Sequence, residues 1–317
     1  MEKEKLIELL SLENFDEYYK KADNIKKEIY GNVVNIRAII EFSNHCRADC
    51  KYCGLNCHNK KIKRYRMEPE HIIETARQAY EIGYKTVVIQ SGEDKYFTKE
   101  LLGEIIKEIK KTGIFVTLSS GEMSFEDYKY LKDCGTDRYL IKHECSDEKI
   151  YSSLHSFSTL ENRINCLKNL KKLGYETGSG FMIGLPNQSL ETIANDILLL
   201  KEISCDMAGI GPFVPHPDTA LKDVPKGSTE LTKRAVALTR ILMGEINLPA
   251  TTSLSVIDQK EKERIFSCGA NVVMKKVTPN EYKHLYEIYP SQMGKTDIKK
   301  ERRELEEQLV SLGCRPL

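Results

Sequence analysis

Four of the ten cysteines fall between positions 46 and 57, and three of them, in Cys46-Arg-Ala-Asp-Cys50-Lys-Tyr-Cys53, lie within eight residues. Soft thiolates this close converge on one metal centre. A cubane iron–sulfur cluster ordinarily takes four cysteines, so a three-cysteine set leaves one iron without a protein ligand, and an open position is where a cofactor or substrate binds. The alternative is a structural zinc site with Cys57 as fourth ligand. Its spacings of three, two and three intervening residues differ from the paired CxxC units that zinc knuckles favour.

The rest of the chain must position such a loop. Its 317 residues suit one large barrel or two ordinary domains, and one barrel is the economical reading. With 40% apolar residues, 30% charged residues and 48 basic against 47 acidic side chains, nothing in the charge points to nucleic acid or a membrane. The start, MEKEKLIELLSLENF, is charged from its second residue, and no window approaches the roughly 18 apolar residues of a membrane span. A cytoplasmic protein with reduced, metal-binding thiols is expected.

Short β-branched runs alternate with longer charged segments of helical period, the pattern of βα units around a parallel sheet. The expected strands are Val33–Phe42, Lys85–Gln90, Phe115–Leu118, Arg138–Lys142, Glu176–Met182, Met207–Ile210, Ala250–Ser253 and Asn271–Met274. Eight strands predict an α/β fold, a TIM-type (β/α)8 barrel; a doubly wound open sheet is the rival, since alternation does not report closure. An N-terminal helical extension (1–31) is expected to cap the barrel's lower end. The barrel spans 32–290, and a helical tail with a charged run from Lys295 to Glu307 spans 291–317.

In such a barrel the chemistry sits at the carboxyl ends of the strands, and polar residues stand there after nearly every expected strand. The cysteine loop follows the first. Gln90-Ser-Gly92-Glu93-Asp94 follows the second, where a glycine lets a backbone approach a ligand and a carboxylate accepts from an ammonium group; alternatively Glu93 and Asp94 serve the start of the next helix. Thr117, Ser119, Ser120 and Glu122 follow the third, Lys142-His143-Glu144 the fourth, and Arg163 stands in the segment after it. These offer hydroxyls, carboxylates and a guanidinium, although a lone His143 is more often a hydrogen-bonded core residue, and Glu161 and Arg163 also fit a helix surface. The fifth strand, Gly178 to Pro186 with Met182, is glycine-dense, which suits an adenine packed against it. The loop Gly209 to Thr219, with His216 and Asp218, reads equally as a plain turn. Thr251 and Thr252 read equally as ordinary strand residues.

The spacing Cx3CxΦC, with Tyr52 as its aromatic and Gly54 following, resembles the signature of the radical S-adenosylmethionine (SAM) superfamily. Further stretches resemble the HydE family within it, the maturases of [FeFe]-hydrogenase, whose relatives include biotin synthase and methylornithine synthase. They are CRADCKYCGL, KRYRM at Lys63–Met67, VIQSGED at Val88–Asp94, DRYLIKHE at Asp137–Glu144, ENRINCL, GYETGSGFMIGLPNQ, MAGIGPFVPHPDT, LPATT and CGANVVM, in order over roughly Asn32 to Pro290. The resemblance implies one [4Fe–4S] cluster on Cys46, Cys50 and Cys53, whose free iron chelates the amino and carboxylate groups of SAM. It implies SAM contacts from Tyr52, Gly92, Glu93, Ser119, Glu144, Arg163 and Met182, and a substrate side lined by Gln90, Thr117, Thr251, Thr252, Tyr286 and Tyr289. It further implies anaerobic reductive cleavage of SAM to a 5′-deoxyadenosyl radical, an organometallic substrate on the way to the di-iron subsite, HydG and HydF as partners, and an electron donor such as ferredoxin or flavodoxin.

Two departures from that pattern stand out. Only Cys314 lies beyond Cys268, so a second cluster on C-terminal cysteines is not expected. Lys142 stands where the family commonly has arginine, and an ammonium does not reproduce bidentate carboxylate recognition. A mutase of the methylornithine-synthase kind, acting on an amino acid held by paired acidic and basic anchors, is the alternative enzyme. A non-catalytic zinc- or cluster-binding scaffold is the alternative of another class.

Overall fold

The computed structural model describes residues 1–290 and 297–317. Its strands are β1 (Val33–Ser43), β2 (Thr86–Ser91), β3 (Phe115–Ser119), β4 (Arg138–Leu140), β5 (Glu176–Ser179), β6 (Met182–Ile183), β7 (Met207–Ala208), β8 (Gly211–Pro212), β9 (Pro249–Ala250), β10 (Val272–Lys276) and β11 (Arg315–Pro316). In β1 side chains alternate between two faces. Val34, Ile36, Ala38, Ile40 and Phe42 are buried on one, and Arg37, Ile39 and Glu41 take the other. Arg37 Nη1 lies 3.2 Å from Met207 Sδ on β7, a strand not adjacent to β1, so this second face lines the barrel interior.

Eight strands run in the order β7-β5-β4-β3-β2-β1-β10-β9, each parallel to its neighbour. The two edges meet: Asn247, just before β9, bridges to Met207, and backbone bonds of 2.9 Å run from Ala208 N to Asn247 O and from Asn247 N to Asp206 O. The sheet is thus a nearly closed barrel, and the open-sheet alternative is set aside. Side-chain caps start most of the helices between strands, among them Thr98, Ser124, Asp147, Thr159, Ser189 and Ser228, each accepting from a backbone amide in the first turn.

Four expected strands are shorter than their apolar runs suggest: the fourth stops at Leu140 and the sixth at Ala208. The fifth stops at Ser179, because Gly180 takes φ +149° and a Cβ there would lie 2.2 Å from the Gly209 carbonyl oxygen. The chain resumes as β6, which pairs with β8 in a separate ladder. The seventh stops at Ala250, and Thr252 opens the helix Thr252–Ile257. At the N-terminus, helix Lys3–Leu10 packs on helices Leu190–Glu202 and Thr229–Met243, and helix Asp16–Tyr30 on Thr229–Met243 and the 3-10 turn Ile265–Cys268. These contacts place the first helix on the outer ring, while the second also reaches the strands' amino ends, where Tyr30 is bonded to the Glu245 carbonyl and Ala22 lies against Gly269, just before β10. After helix Ile298–Ser311, β11 pairs with Val33 and Val34 at the foot of β1, an element without sequence warning. No described helix is long and apolar enough to cross a membrane.

One buried side chain ties the closing seam to the helical layer. Asn271 Oδ1 accepts from Arg240 Nη2 and from the Leu248 amide, both at 2.9 Å, and Asn271 and Arg240 are fully buried. Asn271→Leu would leave a guanidinium and an amide without that acceptor. It is expected to destabilise the apoprotein by about 3 kcal/mol, read as an anaerobic urea midpoint; an unchanged midpoint would contradict the assignment.

Candidate active site

The cysteine loop leaves the carboxyl end of β1 and returns to it. Asn44 Oδ1 accepts from the Tyr65 amide at 2.7 Å, and Asn44 Nδ2 donates to the carbonyls of Lys63 and Leu285. Within the loop, Arg64 donates to the carbonyls of Asn44, Leu55, Asn56 and Asn59. One side chain thus binds four loop carbonyls, of which only that of Asn56 also accepts from loop backbone, the Asn59 amide. Asn59 Nδ2 adds a bond to the Gly54 carbonyl at 2.8 Å.

This frame holds Cys46, Cys50 and Cys53 as free thiols. Burial pushes all three up, Cys53 to about 12, and Cys50 and Cys53 rise further through the charge of their neighbouring cysteines. Partly buried thiols whose thiolate forms would repel one another give up their protons to a cationic centre rather than to solvent. Among the described residues no three His, Cys, Asp or Glu side chains stand close enough to hold one metal ion. A cubane takes one thiolate at each of several corners and suits a wider set of sulfurs, so the donor chemistry fits an iron–sulfur cluster. Tyr52 is half-buried beside them, its hydroxyl 2.8 Å from His155 Nε2.

Around the thiols stand the ends of the neighbouring strands. Gly92, after β2, is pressed onto the loop: a Cβ there would lie 2.3 Å from the His45 carbonyl and 2.7 Å from Cys46 Cβ. The Glu93 amide points at Cys46 Sγ at 3.4 Å. Burial raises the Glu93 carboxyl, which accepts from the Glu122 amide at 3.2 Å and faces Arg47 at 3.3 Å. Asp94 does not share this orientation: it accepts from Arg66 at 2.7 and 2.9 Å and from Ser43 at 2.7 Å. Neither carboxylate caps the next helix, whose cap is Thr98.

Arg163, on helix Leu160–Lys172, is no surface residue. It is mostly buried, donating to Glu122 at 2.7 Å and to the Lys142 carbonyl at 2.6 Å. Glu144 sits in the left-handed region at φ +63°, a strained setting for a side chain with a Cβ. It is held there by bonds from its amide to Gly180 O and from the Met182 amide to its own carbonyl. Its Oε2 is buried without a hydrogen-bond partner, 3.3 Å from Lys142 Nζ. His143 takes the bland reading, fully buried with Nδ1 3.0 Å from Ser179 Oγ and Nε2 3.4 Å from Asp196. His216 and Asp218 do likewise: the Asp218 amide donates to His216 Nδ1, and its carboxylate pairs with Lys61.

On the interior face, strand register aligns Glu41, Gln90 and Ser119 in one row, and Ile39, Val88 and Thr117 in the row below. Gln90 Nε2 donates to the Tyr286 hydroxyl at 3.0 Å, Tyr289 interacts with Thr252, and Thr251 Oγ1 lies 3.1 Å from Ser253 Oγ. Thr117 Oγ1 is buried and unpartnered. Two polar residues here escaped the sequence reading. Lys276, level with Ile39, reaches to 2.9 Å from Glu41 Oε2. A carboxylate inside the run Ala38-Ile-Ile-Glu41-Phe was the available signal, since period-two alternation puts it on the same face as Arg37. Glu122, the shared acceptor for Arg163, Ser158 and Asn162, was placed only as a strand-end carboxylate.

Two outcomes follow from these contacts. Gly92→Ala would push a methyl into the Cys46 segment, so anaerobically reconstituted protein is expected to hold markedly less iron and sulfide than wild type; equal loading contradicts the close approach. Burial pushes the Glu41 carboxyl up to about 7 from an ordinary value of 4.5, against the opposing pull of Lys276. Between those values the native chain holds a proton that the unfolded chain releases, so this group's contribution is complete below pH 4.5 and is lost as pH rises through 7. Glu41→Gln is expected to remove that part of the decline in urea midpoints; parallel pH profiles would contradict it.

The profile of the radical SAM superfamily matches residues 40–200. The chain is 50% identical over 294 residues to the [FeFe] hydrogenase maturase subunit HydE of Thermotoga maritima, covering 92% of this chain and 84% of that protein. It is 26% identical to 3-methylornithine synthase of Methanosarcina acetivorans, over 84% of this chain and 76% of that one. The fold superposes on the crystal structure of methylornithine synthase (PylB) with a TM-score of 0.88 at 23% identity, covering 100% of this chain and 94% of that one. With the superfamily profile over residues 40–200 and half of its residues identical to HydE along 92% of its length, the chain belongs to the radical SAM superfamily, and within it to the HydE family.

Proposed function

We propose that this radical SAM enzyme is the HydE-type maturase that acts in assembly of the di-iron subsite of [FeFe] hydrogenase. The observation that carries this reading is 50% identity over 92% of this chain and 84% of that relative, joined to three partly buried thiols at the barrel mouth. The distant likeness to methylornithine synthase supports the barrel and leaves the mutase reading behind.

When bound, the [4Fe–4S] cluster and SAM supply reductive cleavage of SAM to a 5′-deoxyadenosyl radical. In this reading Cys46, Cys50 and Cys53 would hold the cluster, with Tyr52 set against His155 beside them. Glu93 and Glu144 accept from the ammonium end of SAM; the unpartnered Oε2 of Glu144 is the better placed of the two, because backbone bonds on both sides fix its left-handed turn. Arg163 holds that strand end through the Lys142 carbonyl. Gly92 brings backbone to the ligand, Ser119 offers a hydroxyl to the ribose, and Met182 packs on the adenine side. Gln90, Thr117, Thr251, Thr252, Tyr286 and Tyr289 line the interior that receives the substrate, and their packing keeps water from a reactive radical. HydG and HydF are the partners of this reading, with a ferredoxin or flavodoxin as electron donor.

The test is anaerobic incubation of reconstituted protein with SAM and dithionite. Formation of 5′-deoxyadenosine by wild type and its absence in Cys50→Ser are expected. Colourless protein that carries zinc and leaves SAM intact would refute the assignment. Co-expression with HydG, HydF and an apo-hydrogenase separates maturase from mutase: active hydrogenase supports the first, and rearrangement of lysine supports the second.

A further inference from the structure

The cysteine loop carries an outer face that none of the roles above uses. Between Asn44 and Arg66 every exposed residue is basic: Arg47, Lys51, Lys60, Lys61, Lys63 and Arg66, with His58 the only other. Asp49, the one acidic residue of the stretch, is half-buried and accepts from Ser156. The whole chain carries a formal net charge of +1, so this concentration of one sign is local. Three of the cations are matched by carboxylates, Arg47 by Glu93, Lys61 by Asp218 and Arg66 by Asp94. Lys51, Lys60 and Lys63 have no ion-pair partner among the described residues, and Lys60 reaches only the Cys57 carbonyl. The opposite face of the loop is covered: the Gly54 amide donates to the Ile288 carbonyl at 2.9 Å, and a Cβ on Gly54 would lie 2.2 Å from the Glu287 carbonyl oxygen. Lys51 stands between Cys50 and Tyr52, and consecutive Cα atoms are about 3.8 Å apart, so the free charges ride close to the thiols. Arg64 ties the arm that bears Lys60 and Lys63 to the carbonyls of the arm that bears the cysteines.

We propose that this face is the docking surface for a small electron-carrier protein with an acidic rim, and that Lys51, Lys60 and Lys63 hold the carrier against the cluster end of the barrel. Charge complementarity selects the partner: exposed ammonium groups without carboxylates of their own steer and orient a protein of the opposite sign. Chain composition selects the place. Cys314 is the only cysteine beyond Cys268, and the remaining cysteines are scattered singly, so the chain offers no second cysteine set to relay an electron from a distant surface. The carrier must therefore reach the cysteine loop itself. One electron passes from the reduced carrier to the oxidised cluster; no atom moves between the proteins, and no bond forms or breaks in that step. This assignment rests on the proposed function and names where a partner of the same site binds.

The test uses anaerobically reconstituted protein and an acidic ferredoxin as the probe. Calorimetry gives the Kd of the oxidised ferredoxin, and stopped-flow absorbance gives the rate at which the reduced form bleaches the cluster. Wild type is expected to bind saturably at low salt and to lose about tenfold in affinity as salt rises from about 50 to about 300 mM. The triple variant Lys51→Glu, Lys60→Glu, Lys63→Glu is expected to bind about thirtyfold more weakly at low salt, the scale of three exposed charge pairs, and to lose most of the salt dependence. Its 5′-deoxyadenosine formation with dithionite, which needs no docking, is expected to match wild type. Glutamine at the same three positions gives a smaller loss in the same direction, and keeps the test open should the charge-reversed loop fail to take up its cluster. The variant Lys20→Glu, Lys21→Glu, Lys107→Glu, on exposed helix positions elsewhere, makes the same change in net charge and is expected to leave ferredoxin binding near the wild-type value. No saturable binding by wild type, unchanged affinity in the loop variants, or an equal loss in the remote variant overturns the proposal. Absence of 5′-deoxyadenosine from wild type with dithionite would instead strike the underlying enzyme reading.

Discussion

Three partly buried thiols, near enough for their thiolate forms to repel one another, are the constraint on which the rest of the molecule depends. Such a group is costly for a protein to hold as thiolates, and it is stabilised when a cationic cluster draws the protons off. The loop that presents them has little regular structure, so its order comes from Arg64 satisfying four carbonyls and from Asn44 and Asn59 tying its ends. The barrel's role is to bring seven further strand ends around that loop.

Closure is what makes the site. The ring exists because the Asp206–Asn247–Ala208 bonds join β7 to β9, and because short strands with a helix start after each leave polar residues at one rim. The bond set around Arg163 then links strand ends to the outer helices: Arg163 on one helix reads the carbonyl of Lys142 and the carboxylate of Glu122 together. Glu144 is held in a left-handed turn by β5–β6 backbone on either side. The charged groups at the mouth thus take their positions from main-chain contacts, which is how a rigid scaffold fixes a ligand site.

Much of this was legible in the order of residues. The eight strands follow from alternating β-branched runs, and the cysteine loop from its spacing. What escaped did so for physical reasons. The strand through Gly180 reads as continuous because a glycine's approach to another backbone leaves no mark in the sequence beyond the glycine itself. Thr252 reads as strand because a β-branched residue suits both a strand and the first turn of a helix. The Glu41–Lys276 pair joins residues 235 positions apart, and only register brings a strand-interior carboxylate to a lysine that looks like a solvated strand end. Asp94 resembled a partner of Glu93, but Arg66 and Ser43 claim it.

The central claim is that three thiols leave one cluster iron open for SAM. Electron paramagnetic resonance of the reduced, reconstituted protein before and after SAM addition tests this most directly, with isotopically labelled SAM carrying nitrogen-15 in its amino group. The account predicts a changed cluster signal with a resolved coupling to the labelled nitrogen. A signal indifferent to SAM, or a cluster whose irons all carry protein ligands, would contradict it.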